Sequence, residues 1–371
     1  MNISDKKIAF CTTTINIPNF LEEFSLNFKK NNHKNIIFYI IGDYKTPNQT
    51  KIFIKKLSKK FTYEYRYYDV EKINKIFKKY PKLSKIIKFH SGQMKFIGVF
   101  LSYLDGCDIC LQIDDDNFNL EKDYLTEVKK IFSLNKFKVI NSKSGWANIY
   151  NFLKEKNNIQ IYPRAYPWSE RFKKDKIKVS EKKIQSIFYN GSVFGDPDID
   201  ALARLNAKID VTGFKNKNFS QWGLNAGTWT SFNNQNSGLI KDLVPAYFTP
   251  YTTGRNADIW ASYMICKIST IHNKTVTFGK PIVKQIRNPH NLWKDLDDEF
   301  QNDYLTDLFV KFLKSLKIKK EKTYLLTCEQ ICKNSIKLLR NKNKLNLTKK
   351  DKNYILSFFK EYLIWISLFK N

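Results

Sequence analysis

Leu111-Gln112-Ile113-Asp114-Asp115-Asp116-Asn117 decides how this chain reads. Ile109, Cys110, Leu111 and Ile113 make a short apolar run that favours a β-strand, and three carboxylates follow it directly. Three adjacent like charges repel one another and resist removal from water; a bound divalent cation offsets that cost. Asp114 and Asp116 form an Asp-x-Asp pair at the C-terminal end of the expected strand, the edge at which open α/β sheets bind nucleotides. Hard cations take one or two carboxylates together with substrate phosphates, so the run points to a metal–diphosphate site. From these residues alone a second reading stays open. Asn117 or Asn119 would cap a helix running from about Leu120, with Glu121 and Asp123 in its first turn.

The surrounding sequence alternates between strand and helix patterns. Residues 8–14 read as a first buried strand, Phe20–Lys30 as a helix with Phe20, Leu21, Phe24, Leu26 and Phe28 at helical spacing, and Ile36–Ile41 as a second strand closed by Gly42-Asp43. Residues 51–59 suggest a helix, 61–68 a third strand, and 95–103 the helix feeding the Asp-rich strand. This alternation predicts an α/β fold: a Rossmann-like, mostly parallel sheet with helices on both faces. After Asp116 the pattern loosens. Residues 162–210 are rich in Pro, Gly, Asp and aromatics, and are expected to be loop-dominated and to carry substrate contacts. Helical character returns over 258–269, and 275–278 reads as a strand. From Asp303, Leu305, Leu308, Phe309, Phe312, Leu313 and Leu316 recur at helical spacing, as do Ile355, Phe358, Phe359, Tyr362, Leu363, Ile366 and Phe369. The expected organisation is a catalytic domain over 1–302 and a basic helical C-terminal appendage over 303–371. The last helix is expected to pack on the main domain in preference to lying on a membrane.

Composition narrows the function. The 371 residues carry a formal net charge of +29, which suits an anionic partner. The lysines, however, are spread along the chain among Asn and Ile, and no zinc-finger, basic-zipper or RNA-binding pattern is present, so dedicated nucleic-acid binding is not expected. Cys107 and Cys110 have redox or zinc spacing but no second pair to partner them; all six cysteines are expected as buried free thiols in a reducing cytoplasm. The stretch to Lys7 lacks the apolar core of a signal peptide, and no run of about eighteen apolar residues spans a membrane. Walker A, Gly-x-Gly-x-x-Gly, Gly-x-Ser-x-Gly and His-Glu-x-x-His motifs are all missing, which disfavours P-loop phosphoryl transfer, hydride transfer and serine hydrolysis.

Several further residues are candidates. Asp43 ends the second strand at the same edge as Asp114, where a carboxylate contacts a ribose or base. In Asp196-Pro197-Asp198-Ile199-Asp200, Asp200 reads as the cap of a helix from Ala201, which leaves Asp198 without a structural explanation. Arg171, in Tyr166-Pro167-Trp168-Ser169-Glu170-Arg171, offers a bidentate phosphate fork. The amide-rich loop Phe232-Asn233-Asn234-Gln235-Asn236-Ser237 suits sugar hydroxyls or turns. Arg255 and Asp258 stand at a helix start, Asp258 as dipole partner or as acceptor-activating base. His290 sits late in the sheet region, where it can complete a metal site with two Asp.

Taken in order, Thr12-Thr13-Thr14-Ile15-Asn16, Ile41-Gly42-Asp43-Tyr44-Lys45-Thr46-Pro47, Ile113-Asp114-Asp115-Asp116-Asn117, Phe232 to Asn236, Asp258-Ile259-Trp260 and Gln285 to Leu292 resemble the STELLO-type (DUF288) glycosyltransferase-like proteins. Tyr166 to Arg171 and Pro197-Asp198-Ile199-Asp200-Ala201 are more weakly similar to the reversibly glycosylated polypeptides, the UDP-arabinopyranose mutases. Both groups are GT-A-like, and the resemblance spans roughly 8–300. It implies that Asp114 and Asp116 bind a divalent metal, expected to be Mn²⁺ or Mg²⁺, and the diphosphate of a nucleotide sugar; His290 is the further candidate ligand read from the residues themselves. Asp43 would lie near the nucleotide; apart from the resemblance, Lys95, Asp115, Asp198 and Arg255 are expected as further donor contacts. Arg171 falls where the mutase-like proteins carry the glycosylated Arg, though its neighbours Glu170 and Phe172 depart from their pattern. The expectation is a metal-dependent GT-A-type glycosyltransferase with Asp258 and Arg171 as catalytic residues. It would move sugar from a nucleotide sugar, expected to be a UDP-sugar, to a glycan or lipid-linked acceptor of a surface polysaccharide at the inner face of the membrane. The alternatives are a nucleotide-sugar mutase and a non-catalytic scaffold of a glycan synthase complex.

Overall fold

The structure is a computed structural model that describes residues 6–173, 176–287, 291–341 and 347–370. The strands are β1 (Ile8–Thr13), β2 (Ile36–Ile41), β3 (Glu64–Tyr68), β4 (Ile109–Ile113), β5 (Asn117–Asn119), β6 (Asn135–Ser142), β7 (Leu153–Glu155), β8 (Ile177–Ile184), β9 (Ser186–Gly195), β10 (Val211–Phe214), β11 (Gln221–Leu224), β12 (Asn236–Ile240) and β13 (Thr275–Gln285). The helices are α1 (Phe20–Lys30), α2 (Gln49–Lys60), α3 (Val70–Lys79), α4 (Pro81–Ile86), α5 (Lys95–Leu104), α6 (Tyr124–Ile131), α7 (Ala201–Asn206), α8 (Ala257–His272), α9 (Leu292–Ser315), α10 (Tyr324–Arg340) and α11 (Lys349–Ile366).

One sheet runs in the order β3-β2-β1-β4-β12-β9-β13-β11-β6-β8. Its first four strands are parallel; β12 then pairs antiparallel with both β4 and β9. The α/β architecture is as expected from the sequence, with the antiparallel strands contributed by the part of the chain after Asp116. The chain moves outward from β1 to β2 and β3, then returns to place β4 on the other side of β1. The gap between the C-terminal ends of β1 and β4 is thus a topological switch point.

Period-two alternation divides the core. Ile8 and Phe10, Phe38 and Ile40, and Ile109 and Leu111 point to the face covered by α1, α2 and α6. Ala9 and Cys11, Tyr39 and Ile41, and Cys110 point to the face covered by α5, α8 and the C-terminal helices. Gly98 lets α5 sit close to the sheet: a Cβ there would lie 3.0 Å from the Tyr39 Cβ. This approach brings Lys95, the first residue of α5, to the switch point. All six cysteines are buried free thiols.

Three readings of the sequence are corrected. No helix starts near Leu120; Asn117–Asn119 pairs with β13 instead, and Asp123 caps α6 by accepting from the Thr126 amide at 3.0 Å. Residues 162–210 are not loop-dominated, since they supply β8 and the central strand β9. The 302/303 boundary falls inside α9, and α10 and α11 close over the same apolar core as α5 and α8. Trp365 of α11 shows how firmly. It is fully buried, its ring stacks on Phe248 at a centroid distance of 4.9 Å, and its Nε1 donates to the Val244 carbonyl at 3.1 Å. Packing, as expected, is the fate of that apolar stripe. Trp365→Ala is expected to cost about 3–5 kcal/mol in a single urea transition of the whole chain. A separate early transition confined to the tail would instead mark 303–371 as an independent unit.

Candidate active site

A cavity of about 510 Å³ opens at the C-terminal edge of the sheet. Beside it a hollow of about 310 Å³ is lined by Thr13, Thr14, Asp43, Lys45 and His90. Both share Asp114 and Asp116, so the two spaces meet at the carboxylate pair.

The three consecutive Asp residues have different surroundings. The Asp114 carboxylate pairs with the ammonium of Lys95, which is buried and also donates to the Asn234 carbonyl at 3.2 Å. Asp115 lines only the smaller hollow and accepts from the Thr14 hydroxyl at 2.7 Å; burial pushes it above the ordinary carboxylate range. Asp116 Oδ2 accepts from Gln285 Nε2 at 2.9 Å, whereas its Oδ1 is buried without a partner among the described residues. Burial first, and then the neighbouring Asp114 charge, push Asp116 up to about 6. An acceptor-only oxygen that is buried and unpaired lacks a cation or a proton. Two carboxylates with one such oxygen fit a hard divalent cation.

Arg164, which the sequence reading passed over, organises the opposite wall. Its Nε donates to Asp198 Oδ1 at 3.0 Å and its Nη2 to Asp198 Oδ2 at 3.1 Å. Nη2 also reaches Asp258 Oδ1 at 3.2 Å, and Nη1 donates to Asn256 Oδ1 at 2.9 Å. The amide-rich loop joins this wall, with Asn233 Nδ2 donating to Asp198 Oδ2 at 3.1 Å. Burial pushes Asp198 up, but Arg164 and Arg287 outweigh it and hold the carboxyl below its ordinary range. Burial also pushes Asp258 up; there Arg164 only partly opposes it, and Asp258 stays above its ordinary range.

The remaining candidates divide. Asp43 lines the smaller hollow, its carboxylate accepting from the Tyr44 and His90 amides at 2.6 Å each. Arg255 lines the cavity, but its guanidinium pairs with Glu299 at 2.7 Å and Asp295 at 3.2 Å. Arg287, also missed from sequence, lines the cavity and pairs with Asp196 at 2.7 Å. Arg171 is not brought to the cavity. It is buried, donates to Asp200 Oδ2 at 2.6 Å and lies 3.8 Å from the centre of the Trp168 ring. This corrects its reading as a catalytic residue. Asp200 stands at the N-cap position of α7, as expected, but its side chain accepts from the Ala165 amide and Arg171 and makes no cap hydrogen bond. His290 lies outside the described residues.

A second carboxylate group, Asp200, Glu299 and Asp303, lies behind this wall. Each member has a partner: Asp200 the Ala165 amide and Arg171, Glu299 the Ala201 amide and Arg255, and Asp303 Oδ1 the Asn256 side chain. Burial, with Asp200 and Glu299 nearby, pushes Asp303 up to about 8.

Comparison with known proteins gives only loose likenesses. No family model matches the chain, and no curated protein matches it. Among solved structures, glucosyl-3-phosphoglycerate synthase from Mycobacterium tuberculosis, in complex with Mn²⁺ and UDP-glucose, is similar with a TM-score of 0.43 and 9% identity over 82% of this chain and 79% of that one. The mannosyltransferase PcManGT from Pyrobaculum calidifontis, in complex with GDP-Man and Mn²⁺, gives a TM-score of 0.35 and 8% identity over 97% and 86%.

Two outcomes follow from the electrostatics. Because the folded-state value of Asp116 lies above the ordinary 3.8, ionising it opposes folding, and its contribution to stability falls as pH rises from about 4 to 6. Asp116→Asn is expected to stabilise the metal-free protein by roughly 1–2 kcal/mol at about pH 7.5, a gain that shrinks toward pH 4 in urea titrations; destabilisation at neutral pH would mean that Asp116 is ion-paired. Arg164→Met leaves buried Asp258 without its counter-charge and Asp198 with only the fields of Arg287 and Arg204, and is expected to cost about 3–5 kcal/mol by the same measurement.

Proposed function

We propose that the chain is a metal-dependent, GT-A-type glycosyltransferase using a nucleotide-sugar donor, with UDP the expected nucleotide. The observation that carries this reading is the Asp114/Asp116 pair at the switch point between β1 and β4, with the unpaired Asp116 Oδ1 at the meeting of two hollows. The smaller hollow, with Asp43 at its side, takes the nucleoside; the larger takes the sugar and acceptor. Mn²⁺ or Mg²⁺ held by Asp114 and Asp116 supplies Lewis-acid stabilisation of the leaving diphosphate.

The protein's own groups do the rest. Lys95 brings a buried positive charge to the same edge and holds the Asp114 carboxylate in place. Arg164 fixes Asp198 and Asp258 across the cavity, so that Asp258 meets the acceptor hydroxyl as base or orienter. A carboxylate shifted upward is a better proton acceptor near neutral pH than an ordinary Asp. The segments around 162–200 and 230–255 wall off the cavity and favour transfer over hydrolysis. A glycan or lipid-linked acceptor in surface polysaccharide assembly fits this reading. No helix among the described residues is long and apolar enough to cross a membrane. The position of Arg171, paired to Asp200 away from the cavity, gives no support to a mutase mechanism that glycosylates it.

Calorimetric titration of UDP, GDP and CDP with and without Mn²⁺ tests the donor site. Metal-dependent binding of one nucleotide is expected, and is expected to vanish in Asp114→Ala/Asp116→Ala. Binding of none would overturn the proposal and leave the scaffold reading. With that nucleotide's sugar as donor, Asp258→Asn is expected to keep donor binding and lower the rate of transfer by about 10²–10⁴; an unchanged rate would remove Asp258 from the chemistry.

A further inference from the structure

The charged and the neutral side chains of the main cavity differ in one respect. Among the described residues, every basic side chain that lines it is already paired with a carboxylate. His90 faces Asp43, Lys95 faces Asp114, Arg164 holds Asp198 and Asp258, Arg255 holds Asp295 and Glu299, and Arg287 holds Asp196. Three neutral side chains of the same wall keep unused polar atoms. The Gln93 amide and the Thr249 hydroxyl have no hydrogen-bond partner among the described residues, although the two residues are only 7% and 3% exposed. Gln235, at 9%, accepts from Asn233 through Oε1 at 3.4 Å, and its Nε2 has no partner among the described residues. Buried polar groups are costly to leave unpaired, and such groups in a cavity wall are completed by what fills the cavity.

The three groups share one corner. Gln93 stands two residues before Lys95 and three before Phe96, at the entry to α5. The Phe96 ring packs on that of Phe248, the residue before Thr249, at a centroid distance of 5.2 Å. Gln235 borders the Asp-rich run, its carbonyl accepting from the Asp114 amide at 2.9 Å. The corner is thus set beside the Lys95–Asp114 pair, where the sugar end of a metal-held diphosphate lies.

The unused chemistry selects the occupant. An acidic sugar requires a cation to meet its carboxylate, and the cations of this wall are committed. Beyond the two carboxylates at the metal site, Asp198, Asp258 and Asp298 line the same space, and Arg164 serves the first two with a single charge. The formal charge of +29 therefore does not reach the cavity as unpaired cations. What the corner offers is amide and hydroxyl groups, uncharged donors and acceptors that complement sugar hydroxyls.

We propose that Gln93, Thr249 and Gln235 form the subsite for the transferred sugar, and that this sugar is a neutral hexose held by its hydroxyls, not a uronic acid. The proposal rests on the glycosyltransferase reading and names the class of its donor sugar.

Titration calorimetry in Mn²⁺ tests it with the glucosyl, galactosyl, mannosyl and glucuronosyl esters of whichever of UDP, GDP and CDP binds. The natural chain is compared with Gln93→Ala and with Thr249→Val, which keeps the side-chain shape and removes the hydroxyl. Binding of the free nucleoside diphosphate shows that each variant is intact. The expected result is that at least one hexosyl ester binds about tenfold or more tightly than the glucuronosyl ester. Each variant is expected to weaken that hexosyl ester by about three- to tenfold and to leave the free nucleoside diphosphate unchanged. A glucuronosyl ester that binds as tightly as every hexosyl ester would overturn the neutral-sugar assignment. A variant that binds the hexosyl ester like the natural chain, or that loses the free nucleotide equally, would remove its residue from the subsite. Failure of the natural chain to bind any nucleotide would instead overturn the donor site, and the subsite with it.

Discussion

Arg164 is the constraint on which the rest of the site depends. Its guanidinium holds Asp198, just after β9, and Asp258, in the first turn of α8, within one hydrogen-bonded unit. Neither carboxylate is tolerable at such depth alone, since a buried charge requires both a counter-charge and hydrogen bonds. Arg164 supplies both, and its Nη1 fixes the backbone leading into α8 through the Arg255 carbonyl at 2.5 Å. Across the cavity Lys95 does the same for Asp114. Two buried cations therefore set the positions of the carboxylates, and the shape of the cavity follows from the elements they join.

The same balance explains why the C-terminal helices belong to the same packed unit as the cavity. Arg255 cannot be held at the cavity wall without the acids of α9, and α9 cannot present those acids inward while keeping an ordinary apolar underside there. Further along, α9 returns to a buried apolar face with Leu305, Phe309 and Leu313, and α11 packs against it, Phe309 lying 5.3 Å from Phe358 between ring centroids. A helix that serves the cavity at one end and the core at the other anchors the appendage to the cavity wall.

What was legible from sequence follows from how local the information is. The strand Ile36–Ile41 and the helix Phe20–Lys30 have strong periodicity and fall where expected. The Asp114–Asp116 run was legible because its three residues are adjacent. Strand β8, Ile177–Ile184, was not, because it is an exposed edge strand with four charged residues among its eight. Strand β9 was not, because Asn190 and Gly191 interrupt its pattern in the middle of the sheet. Arg164 was invisible because its partners lie 34 and 94 residues away. One signal did point to it. The chain holds only seven arginines among its 64 basic residues; Arg164, Arg255 and Arg287 line the cavity, and Arg171 and Arg204 brace the wall behind it. In so lysine-biased a chain, Arg marks places that need a planar, multidentate donor. Arg171 shows the limit of that signal, because the same chemistry also serves purely structural ion pairs.

The central claim is that Asp114 and Asp116 hold a divalent cation at the switch point. Anomalous diffraction at the manganese edge, from a crystal grown with Mn²⁺ and the nucleoside diphosphate that binds, addresses it directly. The account predicts a single strong peak between the Asp114 and Asp116 carboxylates. A peak at Asp200, Glu299 and Asp303 with none at Asp114 and Asp116, or no peak in the cavity at all, would contradict it.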